Sequence, residues 1–155
     1  LNILTKAKRV LRSLPPNTIL TPHPKEAEQL FGESNNDFEQ LKLVLQKAVE
    51  LGCIIVLKGH HTLIALPDGE AFFNSTGNAG MAKGGSGDVL TGIITALLAQ
   101  GYTPHEAAVL GVYLHGLAGD LAVKEISMES LLPTDLVEKL PQAFAFLHGQ
   151  PLKNA

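Results

Sequence analysis

The sequence has little cysteine, no long apolar run and no excess of charge of one sign. Its single cysteine, Cys53, excludes an internal disulfide and, because it precedes the apolar run 54–57, is predicted to be a small buried hydrophobic residue. Twelve basic against fifteen acidic side chains leave a net charge of -3, which argues against an electrostatic grip on nucleic acid or on an anionic membrane. The longest apolar stretch, residues 89–99, is far shorter than the roughly 20 residues that span a bilayer. We therefore expect a cytoplasmic protein that has no membrane span and no nucleic-acid partner.

The length and the first residues bear on domain organisation. With 155 residues, 45% of them hydrophobic, the chain can bury one sizeable core, and its length does not call for two domains. The N-terminus has no initiator methionine and lacks the order of charged, apolar and small residues that marks a signal peptide. We expect it to be a start within a longer protein.

Periodicity and turn residues predict alternating helices and strands. Strand 53–57 is apolar on both faces, as is typical of a parallel sheet covered by helices, and Pro67-Asp68-Gly69 predicts a hairpin turn. The sheet is therefore expected to gain antiparallel strands at one edge, which gives an α/β fold. The predicted helices are 2–14, 24–31, 38–51, 88–100, 104–124 and 133–148, the predicted strands are 18–21, 53–57, 62–66 and 70–74, and 149–155 is a predicted frayed tail.

The most informative segment is residues 74–88, which holds five glycines and then enters an apolar helix. Glycines permit positive φ and remove Cβ atoms, so that successive N–H groups can converge on an anion, while the following helix adds the positive end of its dipole. Phosphate is the ligand that this pattern predicts. Asp88 stands where the helix begins, so it can either cap that helix or accept a proton from a hydroxyl that attacks phosphorus.

These residues resemble a known superfamily. The string 84–88, Gly-Gly-Ser-Gly-Asp, resembles the anion-hole and catalytic-base motif of the ribokinase-like superfamily. The longer string 77–92, together with 58–62 and 21–27, closely resembles the ADP/ATP-dependent NAD(P)H-hydrate dehydratases, although Ala79 stands where that family has proline and Ser86 where it has threonine. The resemblance implies that residues 1–155 are the C-terminal portion of a single ribokinase-like nucleotide-binding domain. It also implies a three-layer sandwich, with a mostly parallel sheet, an antiparallel edge hairpin and helices on both faces, and it implies that the N-terminal half of the fold is missing.

The resemblance also implies a reaction. In that family ADP or ATP transfers its terminal phosphate to the C6 hydroxyl of hydrated NADH or NADPH, in the S epimer, and loss of phosphate restores the dihydronicotinamide. Asp88 then resembles the catalytic base and, with His23, a substrate-binding residue. Mg²⁺ is the implied cofactor, and we expect a homo-oligomer. The implied nucleotide-binding residues are Lys58, Gly59, His60, His61, Thr62, Gly85, Ser86 and Gly87.

Other roles stay open for several of these side chains. Lys58 at a strand end can be a solvated lysine, His23 can cap or pack, and Lys83 can lie near phosphate or in solvent. No metal-ligand cluster can be read from the sequence, and His60 and His61 lack the spacing of a metal pair. Packed or hydrogen-bonded structural roles are expected for three further residues: Met81, His115 and Asp120.

Two alternative functions remain. A small-molecule kinase of the hydroxyethylthiazole or hydroxymethylpyrimidine kind would share the glycine-rich loop and its aspartate. A chain without its N-terminal half could also bind nucleotide and turn nothing over.

Overall fold

The computed structural model describes residues 1, 4 and 8–149. The described chain divides into two compact units, Leu1–Asn74 with Tyr102–Val109, and Ser75–Gly101 with Leu110–Ala155. The prediction of a single domain stays a prediction. The elements are β1 (Ile19–Leu20), α1 (Pro24–Phe31), α2 (Asp37–Leu51), β2 (Ile54–Leu57), β3 (Leu63–Ala65), β4 (Ala71–Phe73), α3 (Ser86–Ala99), α4 (Pro104–Ala122) and α5 (Pro133–Leu147), with short 3₁₀ helices at Lys8–Ser13 and Ala79–Met81.

The first unit is built on a sheet with the strand order β1-β2-β3-β4. β1 runs parallel to β2, with Ile19 opposite Ile54, while β2, β3 and β4 are successively antiparallel. The sheet is therefore mixed: the predicted antiparallel hairpin is present, and the parallel pairing within the described residues is confined to β1 and β2. The hairpin turns at Gly69, whose φ of 94° suits glycine, and the N–H of Glu70 donates to the side chain of Asp68.

Helices α1 and α2 cover one face of this sheet. Their buried side chains form one apolar cluster with alternate residues of β2 and β3: Ala27, Val44, Ala48, Ile55, Leu57, Leu63 and Ala65. On the other face of β2, Ile54 and Val56 are equally buried, which confirms the prediction of a strand apolar on both sides. Cys53, at the start of this strand, is fully buried, and burial raises the pKa of its thiol, so the thiol stays protonated and packs as a hydrophobic residue.

The second unit contains a helix pair. Leu90, Ile93, Ile94 and Leu97 are the large apolar residues that α3 buries. Gly111 of α4 permits a close approach here, because a Cβ at this position would lie 2.7 Å from Cγ1 of Ile94. The two helices therefore pack as partners, as predicted. Ala122, Leu131 and Leu136 form a further cluster with Met81 and Val89 against them.

The predicted element bounds hold within a few residues, apart from the first helix. Of the helix predicted at 2–14, residues 2, 3 and 5–7 lie outside the described residues, and Lys8–Ser13 forms a 3₁₀ helix instead of an α-helix. Two consecutive prolines at 15 and 16 end this segment, since proline cannot donate the hydrogen bonds that would extend it. Residues 150–155 of the predicted tail also lie outside the described residues. No helix in the described part of the chain is long and apolar enough to cross a membrane.

Candidate active site

The first unit places His23 and Lys58 side by side. β1 and β2 are parallel, so the residues that follow them leave the sheet at the same end. The backbone N–H of Lys58 donates a 2.9 Å hydrogen bond to the carbonyl of Pro22, which fixes the two exit points together. Carboxyl ends of parallel strands are where α/β folds bind their ligands.

His23 caps helix α1. Its Nδ1 accepts a 3.2 Å hydrogen bond from the N–H of Glu26, and its own backbone N–H donates a 2.9 Å bond to Oε2 of Glu26, which completes a reciprocal capping box. The proton of a neutral ring therefore resides on Nε2, because Nδ1 is an acceptor. Nε2 lies 3.5 Å from Oε2 of Glu26, and half of the side chain is exposed. The cap thus orients the ring and leaves its Nε2 side within reach of a ligand.

The loop after β2 is anchored at its far end. The carbonyl of Thr62 accepts a 2.9 Å bond from the N–H of Asn74, whereas the rings of His60 and His61 are exposed and meet edge to face at 4.4 Å. Lys58 is half-buried, and within the described residues its ammonium group has no hydrogen-bond or ion-pair partner. Its charge is therefore available to an anionic ligand.

In the second unit, Asp120 fastens the start of the glycine-rich loop. Its Oδ2 accepts a 2.8 Å bond from the N–H of Gly77, and its Oδ1 accepts a 3.0 Å bond from the amide of Asn78. Asn78 also caps the short 3₁₀ helix by accepting a bond from the N–H of Gly80. The structural role predicted for Asp120 is confirmed.

Some glycines of this loop serve packing within the protein. A Cβ on Gly80 would lie 2.8 Å from the carbonyl oxygen of Met128, and a Cβ on Gly85 would lie 2.9 Å from Cγ of Pro133. Close packing within the protein is therefore one reason for glycine at these two positions. Gly84 differs, since a Cβ there would meet nothing within 4 Å.

The turn that begins α3 does not use Asp88 as its N-cap. The N-cap residue is Gly85, with a left-handed φ of 96° and no side-chain cap, whereas Asp88 is the third residue of the helix. The Asp88 carboxylate is exposed and has no hydrogen-bond or ion-pair partner in the described part of the chain. Asp88 is thus not the cap that the sequence allowed.

Two backbone N–H groups of this turn are free to bind a ligand. Those of Gly85 and Gly87 donate no hydrogen bond to any described residue, as expected at a helix N-terminus. Ser86 between them is buried, and its carbonyl lies 3.0 Å from Nε2 of His115. This contact holds the turn against helix α4. A carboxylate and free backbone donors therefore share one helical turn.

Lys83 makes contacts that the sequence did not suggest, while its role near phosphate stays a prediction. Its ammonium group donates to the backbone carbonyls of Met128, Glu129 and Leu131, with 2.9 Å to the last. These carbonyls belong to the connection between α4 and α5. Sequence reasoning could not have found this contact, because the partners lie 45 to 48 positions away.

No dedicated metal cage is found among the described residues, where no three His, Cys, Asp or Glu side chains converge.

Comparison with known proteins places this geometry in a family. The ADP-dependent (S)-NAD(P)H-hydrate dehydratase of Bacillus subtilis is 40% identical over 140 residues, which cover 89% of this chain and 51% of the relative. The structure of the ADP/ATP-dependent NAD(P)H-hydrate dehydratase from Bacillus subtilis, co-crystallised with ATP/Mg²⁺, matches with a TM-score of 0.79 and 39% identity, over 84% of this chain and 48% of that one. A ribokinase-like superfamily protein from Enterococcus faecalis matches with a TM-score of 0.74 and 36% identity, over 94% of this chain and 52% of that one.

The predicted ribokinase-like α/β fold is confirmed by these likenesses, and the chain spans about half the length of each of the three proteins. The Carb_kinase family model, described as NAD(P)H-hydrate dehydratase, matches residues 1–142. On this match and on the identity to its curated members, the chain belongs to the NAD(P)H-hydrate dehydratase family.

Proposed function

We propose that the protein catalyses the ADP- or ATP-dependent dehydration of hydrated NADH or NADPH, in the S epimer, and so repairs the damaged cofactor. One observation carries the proposal: within the described residues, an exposed carboxylate without a partner, that of Asp88, shares one helical turn with free backbone N–H donors at Gly85 and Gly87. A proton acceptor and an anion-binding turn are the two elements that phosphoryl transfer to a hydroxyl requires.

In the proposed reaction Asp88 takes the proton of the C6 hydroxyl, and the oxygen attacks the terminal phosphorus of the nucleotide. Hydroxide is a poor leaving group and phosphate a good one. The ring nitrogen then pushes electrons toward C6, the C–O bond breaks, and loss of a proton from the neighbouring ring carbon restores the dihydronicotinamide. The products are inorganic phosphate, the shortened nucleotide and NADH or NADPH.

The backbone at Gly85, Ser86 and Gly87 is proposed to receive the charge that builds on the transferred phosphoryl group. The first turn of a helix offers N–H groups that have no partner within the helix, and the helix dipole adds to their attraction for an anion. The fixed left-handed conformation of Gly85 supports this role, because it sets the direction of the turn before nucleotide arrives.

The loop from Lys58 to Thr62 is proposed to contact the nucleotide, through the Lys58 charge and through the backbone of Gly59, His60, His61 and Thr62. His23 is proposed to bind the hydrate through its half-exposed imidazole ring. The bond between Lys58 and Pro22 supports both assignments, since it holds the two side chains at one end of the sheet. Mg²⁺, when bound, would neutralise charge on the nucleotide phosphates, and Asp88 is an exposed carboxylate in the turn proposed to bind them.

The remaining proposals concern the whole protein. We expect it to act in the cytoplasm as a homo-oligomer, without a nucleic-acid or membrane partner, and we expect residues 1–155 to be the C-terminal portion of a single ribokinase-like domain.

The decisive experiment follows the return of NADH absorbance when the full-length protein is given the S hydrate with ADP or with ATP. Turnover with either nucleotide supports the proposal. The kinase alternative is not favoured by the family match, and it would give phosphorylated hydroxymethylpyrimidine or hydroxyethylthiazole with no NADH. Nucleotide binding without turnover of any of these substrates would instead identify a non-catalytic nucleotide-binding chain.

A further inference from the structure

The connection between α4 and α5 supplies a small cage of carbonyl oxygens, and the ammonium group of Lys83 occupies it. Three protons of the ammonium group meet three backbone acceptors, those of Met128, Glu129 and Leu131. An ammonium group has three donors and no acceptor, so the three carbonyls match its donors in number. The Lys83 side chain remains exposed, and the contact with Met128 is the longest of the three, at 3.4 Å.

Two further contacts tie the same stretches of chain together. Gly80 lies against the backbone of Met128, and Gly85 lies against the ring of Pro133. Lys83 stands between these two glycines in sequence, so the segment 80–85 is fastened to the segment 128–133 at three successive points. The last of them is the N-cap of α3.

We infer that Lys83 is a positioning residue for the anion-binding turn. Its hydrogen bonds to the carbonyls of residues 128–131 hold the glycine-rich loop in place, and so fix the backbone donors at 85–87 before nucleotide binds. The inference rests on the proposed function for the identity of the anion, which is the phosphoryl group in transfer. Fixed donors stabilise a transition state more than a ground state, because no reorganisation is needed as charge develops.

The competing role is direct phosphate binding, in which Lys83 would leave the cage and follow the nucleotide. The two roles differ in the nucleotide-free protein. A positioning lysine orders the loop when no ligand is present, whereas a lysine that only binds phosphate affects the bound state.

The test compares Lys83→Met with Lys139→Met in the full-length protein. Lys139 is a matched control, because it holds the start of the same connection through a 2.5 Å ion pair with Glu125 but does not touch the glycine-rich loop. Hydrogen–deuterium exchange of peptides that cover residues 77–87 is measured without nucleotide. Calorimetry gives the Kd for ADP, and NADH recovery gives kcat.

For Lys83→Met we expect exchange in 77–87 to rise about tenfold and kcat to fall about 10- to 100-fold, with a smaller change in Kd. Lys139→Met should leave exchange in 77–87 at the wild-type level. Unchanged exchange in Lys83→Met would overturn the inference, and so would a loss of ADP affinity that exceeds the loss of kcat.

Should Lys83→Met fail to fold, Lys83→Arg decides through the same comparison of kcat with Kd, since arginine keeps the charge but not the compact ammonium shape. A fall in kcat with Kd retained supports positioning, and the reverse pattern overturns it.

The hydrogen–deuterium exchange and the Kd for ADP are measured without the hydrate. Absence of turnover by the wild type would therefore count against the proposed function, and the positioning role would still be judged by exchange.

Discussion

The carboxylate of Asp120 accepts a 2.8 Å hydrogen bond from the backbone N–H of Gly77, across 43 positions of sequence. With its second oxygen on Asn78, the same side chain fixes both residues that begin the glycine-rich loop. We expect Asp120→Ala to lower the free energy of unfolding by about 2 kcal/mol, because bonds to a charged acceptor are stronger than neutral ones. Urea denaturation measures this loss. A change below about 0.5 kcal/mol, the size usual for surface substitutions, would show that the clamp is not needed.

Asp88→Asn tests the proposed base. Asparagine keeps the size of the side chain but cannot accept the proton, so the rate with the hydrate should fall by roughly 10²- to 10⁴-fold. Stability should change little, because Gly85 and not Asp88 is the N-cap. The ADP dissociation constant should stay the same or decrease as a repelling charge leaves. Near-normal turnover by this variant would remove Asp88 from the mechanism.

Two adjacent glycines form a matched pair. Gly85→Ala should cost about 1–2 kcal/mol for its left-handed backbone and more for the approach to Pro133. Gly84→Ala should be nearly neutral, since an added Cβ meets nothing within 4 Å. Thermal unfolding of the two variants side by side measures the difference, and equal loss in both would contradict the conformational argument.

Lys58→Met should weaken ADP binding about tenfold, which corresponds to roughly 1.4 kcal/mol, because the ammonium group has no partner among the described residues and is proposed to meet phosphate. Lys42→Met serves as control, since the Lys42 ammonium group lies 4.5 Å from the ring centroid of Phe38 on α2. Calorimetric titration with ADP should separate the two variants. Equal affinities of the two variants for ADP would show that the Lys58 ammonium group does not contact the nucleotide.

Glu106 offers a pH test. The backbone N–H and the hydroxyl of Thr103 both donate to its Oε2, and these bonds hold the pKa of Glu106 below its usual value of 4.5. The folded-state pKa is the lower one, so the stabilisation is present above pH 4.5 and is lost as the pH falls through the folded-state value. Thr103→Ala removes the hydroxyl donor and should raise the Glu106 pKa toward 4.5, as measured by NMR titration. An unmoved pKa would show that the backbone bond alone sets it.

Local signals in the sequence predicted local structure well. Helix α1 has the predicted bounds, because proline at its first position and Gly32 after its end are start and stop signals that act within one turn. A capping box of Thr103 and Glu106 likewise begins α4 at its predicted first residue, since both partners of such a box lie within one turn. The strand 53–57, apolar on both faces, and the hairpin turn at 67–69 were sufficient to predict an α/β fold, whereas the ribokinase-like class was implied by the resemblance of residues 77–92.

What the sequence could not predict depends on distant contacts. The sequence pattern does not reveal that a side chain at Gly80 would strike Met128, or that one at Gly85 would strike Pro133. The sequence does not indicate the contacts of Lys83, since no residue near it in sequence points to the carbonyls that follow α4. The roles of His23 and Lys58 in binding stay predictions.

The clamp between Gly77 and Asp120 also has a consequence for biosynthesis. Closing so long a stretch of chain costs entropy before its contacts repay it, so these contacts form late. During synthesis the glycine-rich loop cannot form its hydrogen bonds with Asp120 until α4 has been made. Lys83 likewise gains its last backbone acceptor only when Leu131 has been made. We therefore expect the nascent chain to emerge with the turn proposed to bind phosphate still unformed, and to gain nucleotide affinity only after Leu131 has left the ribosome.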